Sequence, residues 1–150
     1  MFYGEHTNKL DDKNRMRIPA KFREELGSGY KIVQGFDGCL FAMTKEEFDK
    51  FVQPFSDIPL GDIVGQRKRT KLMSTVFVPE EDGQGRFVLP ANNKKIAKIN
   101  KELKYVGVGE MIQIWSAEEY DRIYAVEDDS LTMDEIYSSV CVVKGVGDGI

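Results

Sequence analysis

Histidine and cysteine are scarce in this 150-residue chain: there is one His, His6, and two Cys, Cys39 and Cys141. Two thiols make no disulfide framework, and no Cys/His grouping has zinc-ligand spacing. Each Cys sits in an apolar, strand-like run, which reads as a reduced, buried thiol. No Ser or Cys lies in a nucleophile context, and with one imidazole no acid, base and nucleophile set converges, so the chain reads as a non-enzyme. Gly107-Val108-Gly109 opens onto a strand rather than a helix, which excludes a phosphate loop. Glu127-Asp128-Asp129 lacks the Gly and the distal Glu of a calcium loop. No metal and no cofactor is expected. Apolar runs fall far short of the roughly 20 residues that span a bilayer. The first residues also lack the basic-then-apolar order of a secretory signal. A cytoplasmic protein with no membrane partner is the expectation.

A surplus of positive charge is also missing, since the formal net charge is −4. The distribution says more than the sum. Residues 1–115 carry 19 Lys and Arg against 16 Asp and Glu, a balance of +3, and residues 116–150 carry 2 against 9, a balance of −7. The acidity is gathered at the C-terminal end. A mildly basic body can still present a local patch to a polyanion.

What the chain does have is an internal repeat, and repeats decide architecture before local propensities do. Residues 11–19 read Asp11-Asp12-Lys13-Asn14-Arg15-Met16-Arg17-Ile18-Pro19, and 71 positions later stands Asp82-Gly83-Gln84-Gly85-Arg86-Phe87-Val88-Leu89-Pro90. Residues 35–51 align with 107–123 at an offset of 72, sharing Gly, Glu, Glu and Asp, with Thr44 matched by Ser116. The unit is about 45 residues long and occurs twice. Its local signals give β-turn-β-α-β-turn-β-α, an α+β fold. Arg15 to Ile18 alternates polar and apolar, putting Met16 and Ile18 inside and Arg15 and Arg17 outside. Phe87, Leu89 and Arg86 repeat that register. Asn14 and Gly85 occupy the position that needs positive φ. The apolar stretch before each turn, clearest at Thr75-Val76-Phe77-Val78, makes a hairpin with Asp entering and Arg leaving.

Pro19 and Pro90 suit the first turn of a helix, followed by Phe22 and Leu26 in one copy and Ile96 and Ile99 in the other. Thr44 and Ser116, each with Glu three residues on, read as capping boxes. Phe41, Phe48, Trp115 and Tyr120 read as core aromatics. The organisation expected is repeat 1 over 5–48, a connector with a helix bearing Arg67-Lys68-Arg69 over 49–75, repeat 2 over 76–121, and an acidic tail over 122–150. Leu131 to Ile136 reads as a short helix, and Val140-Cys141-Val142-Val143 as a strand or an irregular end.

The exposed chemistry sits on the two turns. Lys13, Arg15 and Arg17 lie within five residues, and Gln84 and Arg86 are the second copy's equivalents of Lys13 and Arg15. Lys94, Lys95 and Lys98 stand on the helix behind. Arginine reads guanine edges or clamps phosphate, and Asn14 and Gln84 are amides able to contact bases or backbone. The competing explanation is structural: Asp11 with Arg15, and Asp82 with Arg86, pair across a tight turn. An exposed pair of that kind contributes only ~0–1 kcal/mol, a weak reason to build it twice. Both uses are compatible, with Asp orienting the Arg that a partner meets.

These motifs resemble those of MraZ proteins. The resemblance lies in Gly4-Glu5-His6, in Leu10-Asp11-x-Lys13-x-Arg15-x-x-Ile18-Pro19-Ala20-Lys21-Phe22-Arg23, in Phe36-Asp37-Gly38-Cys39-Leu40-Phe41, in Val106-Gly107-Val108-Gly109, and in Ile114-Trp115-Ser116. It covers roughly residues 1–125. It implies two tandem AbrB-like swapped-hairpin β-barrel repeats that form a pseudo-dimer within one chain, with flanking helices. It implies a nucleoid-associated regulator binding double-stranded DNA at direct repeats upstream of the division and cell-wall genes, on a ring-shaped homo-oligomer. By position, Arg15, Arg86 and Lys13 would contact DNA, with Asp11 and Asp82 shaping the loops; Asn14, Arg17 and Gln84 join them as candidates from the exposed chemistry of the turns alone. Asn14 stands where the family usually has Gly. The competing reading is a protein-interaction module, antitoxin-like or scaffolding, that works through the acidic tail and connector.

Overall fold

A computed structural model of the chain describes residues 1–125 and 128–141. The chain divides into a unit of residues 1–119 and a second from residue 120 onward. The first unit is built on a five-stranded antiparallel sheet. Its strands are β1 (Glu5–Lys9), β3 (Lys31–Gln34), β4 (Leu40–Met43), β6 (Glu102–Gly107) and β7 (Ile112–Ser116), in the order β1-β6-β7-β4-β3. A separate two-stranded ribbon joins β2 (Arg15–Arg17) to β5 (Arg86–Val88).

The repeat read from sequence becomes a two-fold relation in the register. In the ribbon, Met16 faces Phe87, and these two are equivalent positions of the repeats. Arg15 faces Val88, the counterpart of Arg17, and Arg17 faces Arg86, the counterpart of Arg15, so the two pairings exchange under the repeat. The centre of the large sheet repeats the pattern: Phe41 faces Gln113, with Leu40 on Ile114 and Ala42 on Ile112. Like residues can meet at both centres only if the two copies pack against each other as a pair.

This pairing corrects the simple hairpin expectation. Each turn closes locally, with the Asp11 N–H donating to the Arg15 carbonyl at 3.0 Å and the Asp82 N–H to the Arg86 carbonyl at 2.8 Å. The flanking strands, however, take their partners from the other copy: β1 lies on β6 and β2 on β5. The stretch before the second turn is reduced to one bridge, Phe77 to Ile32. Pro79 has no N–H to donate and ends any ladder there.

Alternation puts the expected side chains inside. Met16, Ile18, Phe87 and Leu89 are all buried and join Phe22, Leu26, Ile32, Leu103, Tyr105, Ile112 and Ile114 in one cluster. Helix α1 (Ala20–Leu26) begins after Pro19 and stops at Gly27, whose φ of +69° lies in the region that favours glycine. Its counterpart α4 (Ala91–Ile96) ends earlier than the sequence suggests. Lys98 turns with φ +55° and sends Ile99 into the core.

Thr44 caps α2 (Lys45–Ser56) by accepting the Glu47 N–H at 3.1 Å, and Ser116 caps α5 (Ala117–Tyr124) by accepting that of Glu119 at 3.4 Å. Pro54 lies within α2, so that helix runs further into the connector than the sequence implies. The connector helix itself is α3 (Ile63–Met73), and it carries Arg67, Lys68 and Arg69.

Trp115, Phe41 and Phe48 are core residues as read. Tyr120 is only half-buried, and its ring stacks near that of Tyr124, centroids 4.6 Å apart. Cys39 is buried, which pushes its thiol up to about 12, with the Asp37 carboxylate adding to the effect. Cys141 departs from expectation: it lies exposed on α6 (Met133–Cys141), a helix with no buried residue. Val142 and Val143 lie outside the described residues.

The Met16–Phe87 contact is the hub of the ribbon, and Phe87 is 2% exposed. Phe87→Ala removes a ring from a closed core and is expected to cost about 3–5 kcal/mol. Urea denaturation followed by circular dichroism measures this. A loss well below that range would mean that the ribbon is not packed as described.

Candidate nucleic-acid interface

Each tip is organised by one carboxylate. Asp11 Oδ1 accepts the backbone N–H of Lys13 and of Arg15, both at 2.9 Å, and Asp11 Oδ2 accepts Arg15 Nε at 2.6 Å. The Asn14 N–H donates to the Asp11 carbonyl at 2.9 Å, with Asn14 at φ +58°. The second tip copies this. Asp82 Oδ1 accepts the N–H of Gln84 and of Arg86 at 2.9 Å, Asp82 Oδ2 accepts Arg86 Nε at 2.8 Å, and Gly85 sits at φ +81°. This explains the motif's spacing. The side chain of Asp, a short acceptor, satisfies the amides two and four residues on. The same spacing brings the Arg side chain back over the turn.

Both alternatives of the sequence reading are therefore present in one geometry: the ion pair exists, and it uses only the Nε edge of each guanidinium. The remaining amino groups form one longer contact among the described residues, Arg15 Nη1 to Asp82 Oδ2 at 3.8 Å. That contact also links the two tips. The outer face of the ribbon carries Arg15, Arg17 and Arg86, with Arg17 directly opposite Arg86. Lys13, Asn14 and Gln84 are exposed at the tips. The Arg17 carbonyl is held from behind by Asn8 Nδ2 at 2.9 Å and the Tyr105 hydroxyl at 3.3 Å.

Three contributors escaped the sequence reading. Arg23 of α1 forks onto Glu81, with Nε to Oε2 at 3.2 Å and Nη2 to Oε1 at 2.9 Å, and the Tyr30 hydroxyl donates to Glu81 Oε2 at 2.6 Å. The Arg23 hydrogen bond holds Glu81 below its ordinary pKa. A Cβ on Gly85 would meet the Arg23 guanidinium and displace it, so glycine suits the φ there and leaves room for that side chain. The alignment of Arg23 with Lys94 at offset 71 was the signal available.

Elsewhere, the described residues contain no grouping of three or more His, Cys, Asp or Glu placed to hold a metal. The cleft of about 480 Å³ beside α3 is lined by Gln34, Gly35, Val64, Arg67, Lys68, Lys71, Leu72 and Thr75. That lining holds no carboxylate, imidazole or thiol. The Thr75 hydroxyl donates to the Leu72 carbonyl at 2.8 Å and accepts the Gln34 N–H at 3.1 Å.

The profile of the family described as "MraZ protein, putative antitoxin-like" matches residues 1–69 and 73–138. The chain belongs to the MraZ family. Among its relatives is a protein of Alkaliphilus oremlandii named transcriptional regulator MraZ. It is 36% identical over 136 residues, spanning 91% of this chain and 94% of the relative. Proteins of the same name from Desulforamulus reducens and Oenococcus oeni are 37% and 34% identical, each over 125 residues. These matches span 83% of this chain and 88% and 87% of the respective relatives.

The backbone N–H groups of Arg86 and Gln84 hold Asp82 down to about 2, and that of Arg15 first among its donors lowers Asp11. A carboxylate depressed in the fold stabilises it at pH above the ordinary value of 3.8, and that contribution is lost as pH falls towards 2. Asp11→Asn/Asp82→Asn should therefore flatten the acid side of the melting-temperature profile relative to the parent. Parallel profiles would show that the two carboxylates do not supply this dependence.

Proposed function

We propose that this MraZ-family chain is a DNA-binding transcriptional regulator. Its two paired Asp-x-x-x-Arg loops read double-stranded DNA at direct repeats upstream of the division and cell-wall gene cluster. The observation that carries the reading is the outer face of the β2–β5 ribbon. Like charges directly opposite on a ladder repel, and Arg17 opposes Arg86 there with Arg15 alongside. A polyanion relieves that repulsion. A two-stranded ribbon is also narrow enough for the major groove. In this reading Arg15, Arg17 and Arg86 meet bases or phosphates, Lys13, Asn14 and Gln84 contact the backbone at the tips, and Asp11 and Asp82 shape the loops. The names of the relatives, each a transcriptional regulator, support the same class.

The finer organisation belongs to the proposal. Residues 5–48 and 76–121 act as two AbrB-like swapped-hairpin repeats, joined by the connector over 49–75 and followed by the acidic tail over 122–150. The exchange of strand partners between the copies supports that assignment. One ribbon of modest positive charge binds weakly. Several copies on a ring-shaped homo-oligomer facing spaced DNA repeats gain avidity. The protein works in the cytoplasm at the nucleoid, without cofactor and without catalysis. No described helix is long and apolar enough to cross a membrane. A second reading, a protein-interaction module, draws support from the α3 cleft, whose Val64 is 61% exposed beside Arg67, Lys68 and Lys71.

Fluorescence anisotropy with a duplex from the DNA upstream of the chain's own gene separates the two. Arg15→Ala is expected to cost about 1–3 kcal/mol of binding, about fivefold to 150-fold in Kd. Binding as tight as the parent's would remove the loop from the interface.

A further inference from the structure

The two tips share one geometry but not one electrostatic setting. Arg23 on α1 and Lys94 on α4 hold equivalent positions 71 residues apart. Each crosses to the tip of the other repeat. Arg23 is spent on the second tip: its fork is occupied by Glu81, which also takes the Tyr30 hydroxyl. Its plane lies against Gly85. Lys94 reaches the first tip and touches Asn14 Oδ1 at 3.5 Å. There the counterpart of Glu81 is Leu10, an aliphatic residue 7% exposed. Leucine cannot neutralise an ammonium. Among the described residues Lys94 has no carboxylate partner, and neither has Lys13 or Arg17.

The charge balance differs accordingly. Arg17, directly opposite Arg86, is shared between the tips; apart from it, Lys13, Arg15 and Lys94 stand around the first tip against Asp11 and Asp12. Around the second stand Arg23 and Arg86 against Glu80, Glu81 and Asp82. The first tip is net positive and the second net negative. A polyanion is therefore drawn chiefly to the first.

On the reading that the ribbon meets DNA, we infer that Lys94 is a further phosphate-contacting residue at the first tip, whereas its equivalent Arg23 is a positioning residue that braces the second. The contacting unit is thus composite, because the loop of one repeat is supplied with a cation from the helix of the other. Asn14 Oδ1 accepts from that ammonium at 3.5 Å, a neutral contact that does not cancel its charge. A cation of this kind displaces a condensed counterion when phosphate arrives, without regard to base sequence. Arg23 contributes shape: it fixes the Gly85 turn, and through Glu81 the neighbouring Asp82 that aims Arg86.

The test is an anisotropy titration of the full chain over a series of salt concentrations. The probes are the duplex from upstream of its own gene and a scrambled duplex, and melting temperatures are taken in parallel. Lys94→Ala should weaken binding roughly threefold or more on both duplexes and lower the log–log salt slope by about 1, with the melting temperature unchanged. Lys94→Arg should restore both readouts. Arg23→Ala should lower the melting temperature and leave the salt slope unchanged. Arg23→Lys should not rescue it, since an ammonium cannot make the fork.

The inference is overturned if Lys94→Ala keeps the parent's affinity and slope while Arg15→Ala loses binding. It is equally overturned if Arg23→Ala lowers the slope as a phosphate contact would. A parent that binds neither duplex in a salt-dependent way overturns the DNA reading itself, which is a different failure. If Arg23→Ala does not fold, the Lys94 variants decide the matter, because Lys94 is a part-exposed helix residue outside the core.

Discussion

Each tip hangs on a single carboxylate. Asp11 and Asp82 each accept two backbone N–H groups and one arginine Nε. Those bonds do three things together. They close a turn that would otherwise leave amides unsatisfied, fix the arginine's direction, and leave its amino groups out of the pair. A carboxylate that accepts several N–H bonds is strongly favoured in its charged form. The arginines are therefore held by a fixed negative charge while most of their donors stay available. Pairing and presentation are the same contact.

The rest of the first unit exists to bring two such tips together. Antiparallel pairing of β2 with β5 sets the loops side by side, and the Met16–Phe87 contact anchors the ribbon to the core. The large sheet repeats the two-fold relation at Phe41 and Gln113. Symmetry of this kind lets one short motif be used twice, and its breaking lets the two uses differ. Glu81 and Leu10 occupy equivalent places with opposite chemistry, and that exchange divides the helix cations into one that is neutralised and one that is not.

Much of this was legible in the residues. The repeat, the inward set Met16, Ile18, Phe87 and Leu89, the positive φ at Asn14 and Gly85, and the Thr44 and Ser116 caps all follow from local rules with period 2 or with turn chemistry. Strand exchange was not legible from those rules. Alternation tells which face a strand buries and is silent on which strand lies beside it. The first repeat reads from sequence as ending at residue 48, but α2 runs to Ser56 with Pro54 inside it; the cost of a proline falls on the one bond to the carbonyl four residues earlier, and the rest of the helix is kept. Cys141 was misread because a short apolar run fits strand and helix alike. The Arg23–Glu81–Tyr30 cluster joins residues 51 and 58 positions apart, a distance at which only the fold reveals a partner.

On the proposed reading, affinity for DNA would come from the sum of weak, charge-assisted contacts over repeated tips, and specificity from the few side chains that reach base edges. The account stands or falls on the two motif arginines acting at one DNA surface. The most direct measurement is a footprint on the DNA upstream of the chain's own gene, with the parent and with Arg15→Ala/Arg86→Ala. The account predicts protection at regularly spaced repeats by the parent, and its loss in a double variant that still shows the parent's circular dichroism spectrum. The same protected repeats with the folded double variant would contradict it.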